Sequence, residues 1–170
     1  ASSATAFEML AVELLEMRAP EHLVSSCWSA AGDERRHEVM CLEIAEGLNG
    51  GPVNGLEDSW IPSVDERRKS MAYAAAEAFV HGVVGEGFAV ERLVVGAETA
   101  NPEQAAIMRA LAEDERRHVG LALATVSWCL EFGGRRVEWA LRSAAKALPR
   151  EPDYPNALRH IADGDRRRAG

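Results

Sequence analysis

An all-α fold is predicted for this chain, an antiparallel four-helix bundle with one long crossover and an additional C-terminal helix. Three observations predict it. Apolar residues recur at helical spacing along most of the 170 residues. The motif Asp33-Glu34-Arg35-Arg36-His37 returns letter for letter as Asp114-Glu115-Arg116-Arg117-His118. Between the two copies, Gly47, Gly50, Gly51, Pro52, Gly55 and Pro62 gather the main chain-breakers into one stretch that reads as a linker.

The first helix is expected over 3–18, where Phe7, Leu10, Ala11, Leu14 and Met17 share a stripe and Ala19-Pro20 ends it. The second starts near Pro20, a favourable first-turn residue, and carries the first motif to about residue 48. A crossover over 49–63 follows, and extended it could span on the order of 55 Å, enough to return along a bundle. A short-loop, up-down connection is the alternative topology. The third helix is expected over 64–100, and Asn101-Pro102-Glu103 turns the chain into a fourth, which carries the second motif and stops at Gly133-Gly134. A fifth helix over 135–148 places Val137, Leu141, Ala144 and Leu148 on one side, and 149–170 reads as a polar, Pro-containing tail. Residues 1–148 are thus one helical domain made of hairpins 3–48 and 64–132 plus the extra helix. The halves look like an internal repeat, since Pro20-Glu21 and Pro102-Glu103 are spaced almost as the two motifs are.

With 47% apolar residues the chain can bury a full core, and its formal charge of −8 argues against nucleic acid as a main partner. No stretch approaches the roughly 20 apolar residues of a membrane span. Three cysteines, Cys27, Cys41 and Cys129, form no C-x-x-C and cannot all pair. That suits a reducing compartment, and a cytoplasmic location is expected. The chain begins at Ala1 without an apolar leader, as a processed or trimmed form would.

Each motif contains a Glu-x-x-His. Residues three apart on a helix lie on one face about a turn apart, so an oxygen and an imidazole nitrogen can reach one point, as metal ligands do. Charged helical stretches are usually solvated, and Asp65-Glu66-Arg67-Arg68-Lys69, which has the charges without the His, fits that reading. The two His-bearing copies differ. Glu34 and His37 share a stripe with Val24, Cys27, Ala31, Cys41 and Ile44; Glu115 and His118 share one with Met108, Leu111, Ala122, Thr125 and Cys129. A carboxylate facing inward without a partner is costly, and metal coordination offsets that cost. A purely structural network of Glu, His and Arg is the alternative.

A dinuclear site in a four-helix bundle takes one further Glu from each remaining helix. On the third helix Glu86 is central in the stripe of Phe79, Val83, Val90, Leu93 and Ala97, and stands about 24 Å from Pro102 against about 20 Å for Glu115. Glu91, at about 17 Å, is its rival. On the first helix Glu8 is favoured, since it shares a stripe with Ala4, Ala11 and Leu15 and lies about 18 Å from Pro20 against about 21 Å for Glu34, while Glu13 and Glu16 lie too near the turn. Cys27, Cys41, Leu111, Ala122 and Thr125 are expected to line a pocket beside the site, or simply to pack. His22, His81 and His160 are not expected to be ligands.

The paired motifs resemble the ferritin-like di-iron carboxylate superfamily, which includes ferritins, rubrerythrins and the hydroxylase subunits of bacterial multicomponent monooxygenases. The resemblance covers the first four helices and implies a ferritin-like bundle with metal ligands Glu8, Glu34, His37, Glu86, Glu115 and His118. Both copies read Asp-Glu-x-Arg-His, similar to the oxygen-activating monooxygenase branch. That implies that Asp33 orients His118 and Asp114 orients His37 across the bundle, with Arg36 and Arg117 in support. A carboxylate on the free imidazole nitrogen fixes the tautomer and makes a better donor. The alternative is an ordinary ion pair within each helix, Asp33 with Arg36 and Asp114 with Arg117.

Carboxylates and imidazoles suit iron, or manganese or a mixed pair, better than structural zinc. The leading expectation is therefore an O2-dependent oxidase or oxygenase holding two iron ions. Glu34, His37, Glu115 and His118 would form its catalytic core, and it would act on a small-molecule substrate with electrons from an unidentified donor. A ferroxidase that handles iron, and a bundle whose metal only staples its helices, are the other expectations. Any self-association is expected to give a homodimer. A complete rubrerythrin is excluded, since its rubredoxin part needs four cysteines.

Overall fold

The computed structural model describes residues 3–52 and 70–148, and every regular element among them is a helix. Helix α1, Ser3–Glu16, and helix α2, Glu21–Asn49, form the first hairpin. Helix α3 has three consecutive pieces: Met71–Glu77 is α-helical, Ala78–Glu86 is wound as a π-helix, and Gly87–Thr99 is α-helical again. Helix α4, Pro102–Ala147, completes the second hairpin. The expected crossover beyond Pro52, the expected helical start at 64–69 and the tail after Leu148 lie outside the described residues.

The turns are made by local chemistry. Arg18 takes a left-handed conformation (φ 57°), which lets its N–H reach the carbonyl of Leu15 (3.0 Å) and that of Ala19 reach Leu14 (2.9 Å), closing α1. Gly50 (φ 70°) ends α2 in the same conformation without the steric cost Arg18 bears. The Ser70 hydroxyl accepts from the N–H of Tyr73 to start α3, and the Asn101 side chain accepts from the N–H of Gln104 to start α4, where Pro102 needs no N–H partner.

Two apolar clusters hold the helices together. Phe7, Ala11 and Leu14 of α1 pack with Leu23, Cys27, Ala30 and Ala31 of α2 and Leu121 of α4. Ala74 and Ala75 of α3 pack with Cys129 and Val137 of α4, and Leu10, Met17 and Trp128 lean on both clusters. Small residues bring α3 against α4: a Cβ at Gly82 would stand 2.4 Å from the Ala122 Cβ, so that position admits glycine alone without a shift of backbone.

Gly133-Gly134 breaks the helix where expected: Gly134 (φ 57°, ψ −145°) is non-helical and a second helical run follows at once, so the distal arm of α4 is the expected extra helix, joined through a kink. Its Val137 is only 1% exposed, and packing against α3 explains why the chain turns there instead of leaving the bundle. No described helix is long and apolar enough to cross a membrane.

Candidate metal centre

Glu34, Glu86, Glu115 and His118 bring one ligand atom each to within 4.8 Å of one another. α2 supplies the first, the last residue of the π-helical stretch the second, and α4 the other two. His37 joins them, its Nδ1 lying 3.3 Å from Glu34 Oε1 and 3.2 Å from Glu115 Oε1. On the opposite side His118 Nδ1 lies 3.2 Å from Glu34 Oε1 and 3.1 Å from Glu115 Oε2. The two glutamates therefore sit between the two histidines, each within reach of both.

The outer imidazole nitrogens are tied down in a crossed pattern. His37 Nε2 is 3.0 Å from Asp114 Oδ2, and His118 Nε2 is 3.4 Å from Asp33 Oδ2. An aspartate accepting from Nε2–H turns Nδ1 inward, where its lone pair would serve a metal once Nδ1 gives up its proton. Each aspartate is itself held by the arginine one turn along its own helix, Asp33 by Arg36 and Asp114 by Arg117. Arg117 also reaches Asp33 at 3.4 Å, and Arg36 approaches Asp114 at 3.8 Å. The ordinary i, i+3 pair and the cross-bundle contact are thus both present; they are not exclusive. Asp33 and the two histidines are buried, while both arginines spread over the surface and leave their head groups in water.

Burial costs shape the protonation of this cluster. Burial alone would raise Glu34, but the imidazoles of His118 and His37 facing it bring it below its ordinary value. Glu115 is likewise drawn down by His118 and His37 against the cost of burial. Glu86 goes the other way, up to about 8, through burial and then the charge of Glu115 beside it. Burial would lower both histidines, yet Glu115 and Glu34 hold His37 at about 11 and His118 at about 10. Without metal, the site at neutral pH holds two carboxylates, two imidazoliums and one protonated glutamate, a balanced set with protons where cations would stand.

The donor set fits divalent cations. Glu34 Oε1 and His37 Nδ1 are buried and make no proper hydrogen bond although 3.3 Å apart, as two inward-facing donors to a common cation would be. If metal replaces the protons, loading must expel about three per chain at neutral pH, one from Glu86 and one from each imidazolium. Affinity is accordingly expected to rise with pH and to fall on acidification, and proton release on addition of Fe(II) in weakly buffered solution measures it. In protein without metal, the two imidazoliums stabilise the fold most below their ordinary value near 6.5. That contribution is lost as pH rises through about 10 to 11.

Glu8 is not brought to the cluster. It forms an ion pair with Arg35 at the α1–α2 surface, and the α1 residue that faces the site is Phe7, whose ring centre lies 5.0 Å from that of His118. Glu91 is exposed. Glu13, set aside from the sequence for its height, is only 1% exposed. Of the expected pocket residues, Cys27, Leu111 and Thr125 are packed in the interior and Cys41 is exposed. Only Ala122 lines the cleft that reaches the site.

That cleft, about 450 Å³, opens between α1, α3 and α4 and is walled by Phe7, Leu10, Gly82, Leu121 and Ala122, with Glu86 on its lining. A smaller one, about 310 Å³, opens between α2 and α4 on Asp33 and His118, past His22, Ser26 and Ser29. The site and its surroundings define an all-helical protein with a buried cluster of carboxylates and imidazoles. Compared with known protein families, with curated proteins and with solved structures, the chain matches none.

Proposed function

We propose that this chain is a ferritin-like bundle that binds two iron ions and acts as an O2-dependent oxidase or oxygenase on a small molecule. The observation that carries this reading is the symmetry of the cluster: two histidines turn Nδ1 toward the same two glutamates, and each is held from behind by the aspartate of the opposite motif. Glu34, His37, Glu86, Glu115 and His118 would hold the ions, Glu86 grouping with Glu34, Glu115 and His118. With Glu8 engaged by Arg35, the described residues contribute three carboxylates and two imidazoles.

The iron pair would supply electrons to O2. What the chain itself supplies is orientation and protection. Asp33 and Asp114 fix the imidazole tautomers, Arg36 and Arg117 hold those aspartates in place, and Phe7 covers the α1 side of the site against water. The cleft along α3 gives a substrate access.

Oxygen uptake tests the reading. Protein loaded anaerobically with Fe(II) is expected to consume O2 once, and to continue only when a reductant such as ascorbate is added. The variant His37→Ala should lose both phases. Full iron occupancy with no O2 uptake would leave metal as a structural staple, and uptake that needs no reductant but fresh Fe(II) would point to a ferroxidase.

A further inference from the structure

We propose that the cleft between α1, α3 and α4 is a binding site for an uncharged, apolar small molecule, which enters past Tyr73 and ends against Glu86. Its role as a substrate site rests on the oxidase reading above; the binding itself does not. The cleft is about 450 Å³, within the range of about 300–1,000 Å³ usual for small-molecule sites.

The π-helical stretch of α3 forms one wall of this cleft: Ala78, Gly82 and Glu86, four residues apart, all line it. Gly82 contributes no side chain, so α3 closes on Ala122 of α4 at the floor while the space toward α1 remains open. One residue at the inner end, Glu86, belongs to both the cleft and the metal cluster, so a molecule filling the cleft lies against the site itself.

The lining selects the chemical class. Phe7, Leu10, Ala78, Leu121 and Ala122 present carbon, and among the described residues no Lys or Arg lines the cleft, so a buried anion would lack a counter-charge there. Polar groups gather at the outer part, where His81 and Glu77 stand 3.9 Å apart, both more than a third exposed at the side chain or close to it. An apolar body with a polar end turned toward solvent matches that distribution.

The probe for the test is N-phenyl-1-naphthylamine, a neutral molecule whose fluorescence rises on transfer from water to apolar surroundings. It is titrated into the full chain with and without metal. Two variants narrow the cleft. A Cβ at Gly85 meets only the carbonyl oxygen of Val80, at the ordinary contact distance of 3.6 Å, so Gly85→Leu adds bulk without displacing backbone. Ala6→Trp adds bulk from an exposed position on the α1 wall. Ser26→Leu, in the other cleft, is the control.

The wild type is expected to bind one probe per chain saturably, both narrowing variants to weaken binding by about tenfold or more, and Ser26→Leu to leave it unchanged. Circular dichroism confirms that each variant is folded. Unchanged affinity in both folded variants, or no saturable binding in the wild type, overturns the proposal. Adjacency is read separately: Co(II)-loaded protein should quench the bound probe more than Zn(II)-loaded protein, and equal emission from both overturns the placement against Glu86. If neither ion is retained, the dinuclear reading fails while cleft-dependent probe binding still decides the cleft.

Discussion

Glu86→Ala is expected to strip iron from the protein, whereas Glu91→Ala and Glu8→Ala leave it in place. The three glutamates differ only in where their helices aim them. Glu86 sits at the end of the π-helical stretch with an oxygen inside the cluster, Glu91 faces solvent, and Glu8 is engaged by Arg35. Loss of an outer partner commonly costs about 10 to 100-fold in metal affinity, and loss of a direct ligand is expected to exceed that range. The fold should survive, because Glu86 lies in a cleft wall and Glu115 keeps His37 and His118 as partners when it is removed. Iron per chain after gel filtration, alongside circular dichroism, reads the outcome. Retention of iron by folded Glu86→Ala would remove this residue from the site.

Asp33→Ala and Asp114→Ala are expected to weaken iron retention by about 10 to 100-fold each without unfolding the bundle. The geometry makes the effect crossed: Asp33 is on α2 but frees His118 of α4, and Asp114 is on α4 but frees His37 of α2. Without its aspartate, an imidazole loses the partner that holds Nδ1 inward, and an arginine loses its anchor, Arg36 in one case and Arg117 in the other. Asp→Asn keeps an acceptor for Nε2–H while removing the charge, so its retention should fall between wild type and alanine. Competition with a chelator measures the series. Equal retention in all four variants would show that these aspartates serve only surface ion pairs.

Much of the fold was legible because its signals are local. Breakers and caps act within a few residues, so Pro20, Asn101-Pro102 and the glycines near 50 mark the turns, and the stripes carrying Glu34, His37, Glu115 and His118 predict which face turns inward. The repeated pentapeptide carried most of the site, since two identical motifs on antiparallel helices meet in a crossed pattern. The departures come from tertiary packing. A regular third helix was expected, but the Gly82–Ala122 approach accompanies a wider winding over Ala78–Glu86, which no local propensity signals. Height along α1 and a stripe with Ala4, Ala11 and Leu15 favour Glu8, but Leu15 is 65% exposed, so that stripe lies at the edge of the buried face, and the helix turns Phe7 toward His118 and Glu8 toward Arg35. Gly133-Gly134 reads as a break and is one; the direction the chain takes after it is fixed by burial of Val137 against α3, which no local signal carries.

The most direct measurement of a closed dinuclear centre is the iron bound per chain when Fe(II) is added in large excess under air and loose iron is removed. An oxidase holds its ions between cycles, and the crossed aspartates, each within reach of the opposite histidine, would stiffen the proposed ligands. The expected result is a plateau at about two ions per chain, with the protein at its original particle size and no mineral core, and with the plateau lost in Glu115→Ala. Many ions per chain within a large assembly, or a plateau that Glu115→Ala leaves unchanged, would contradict it.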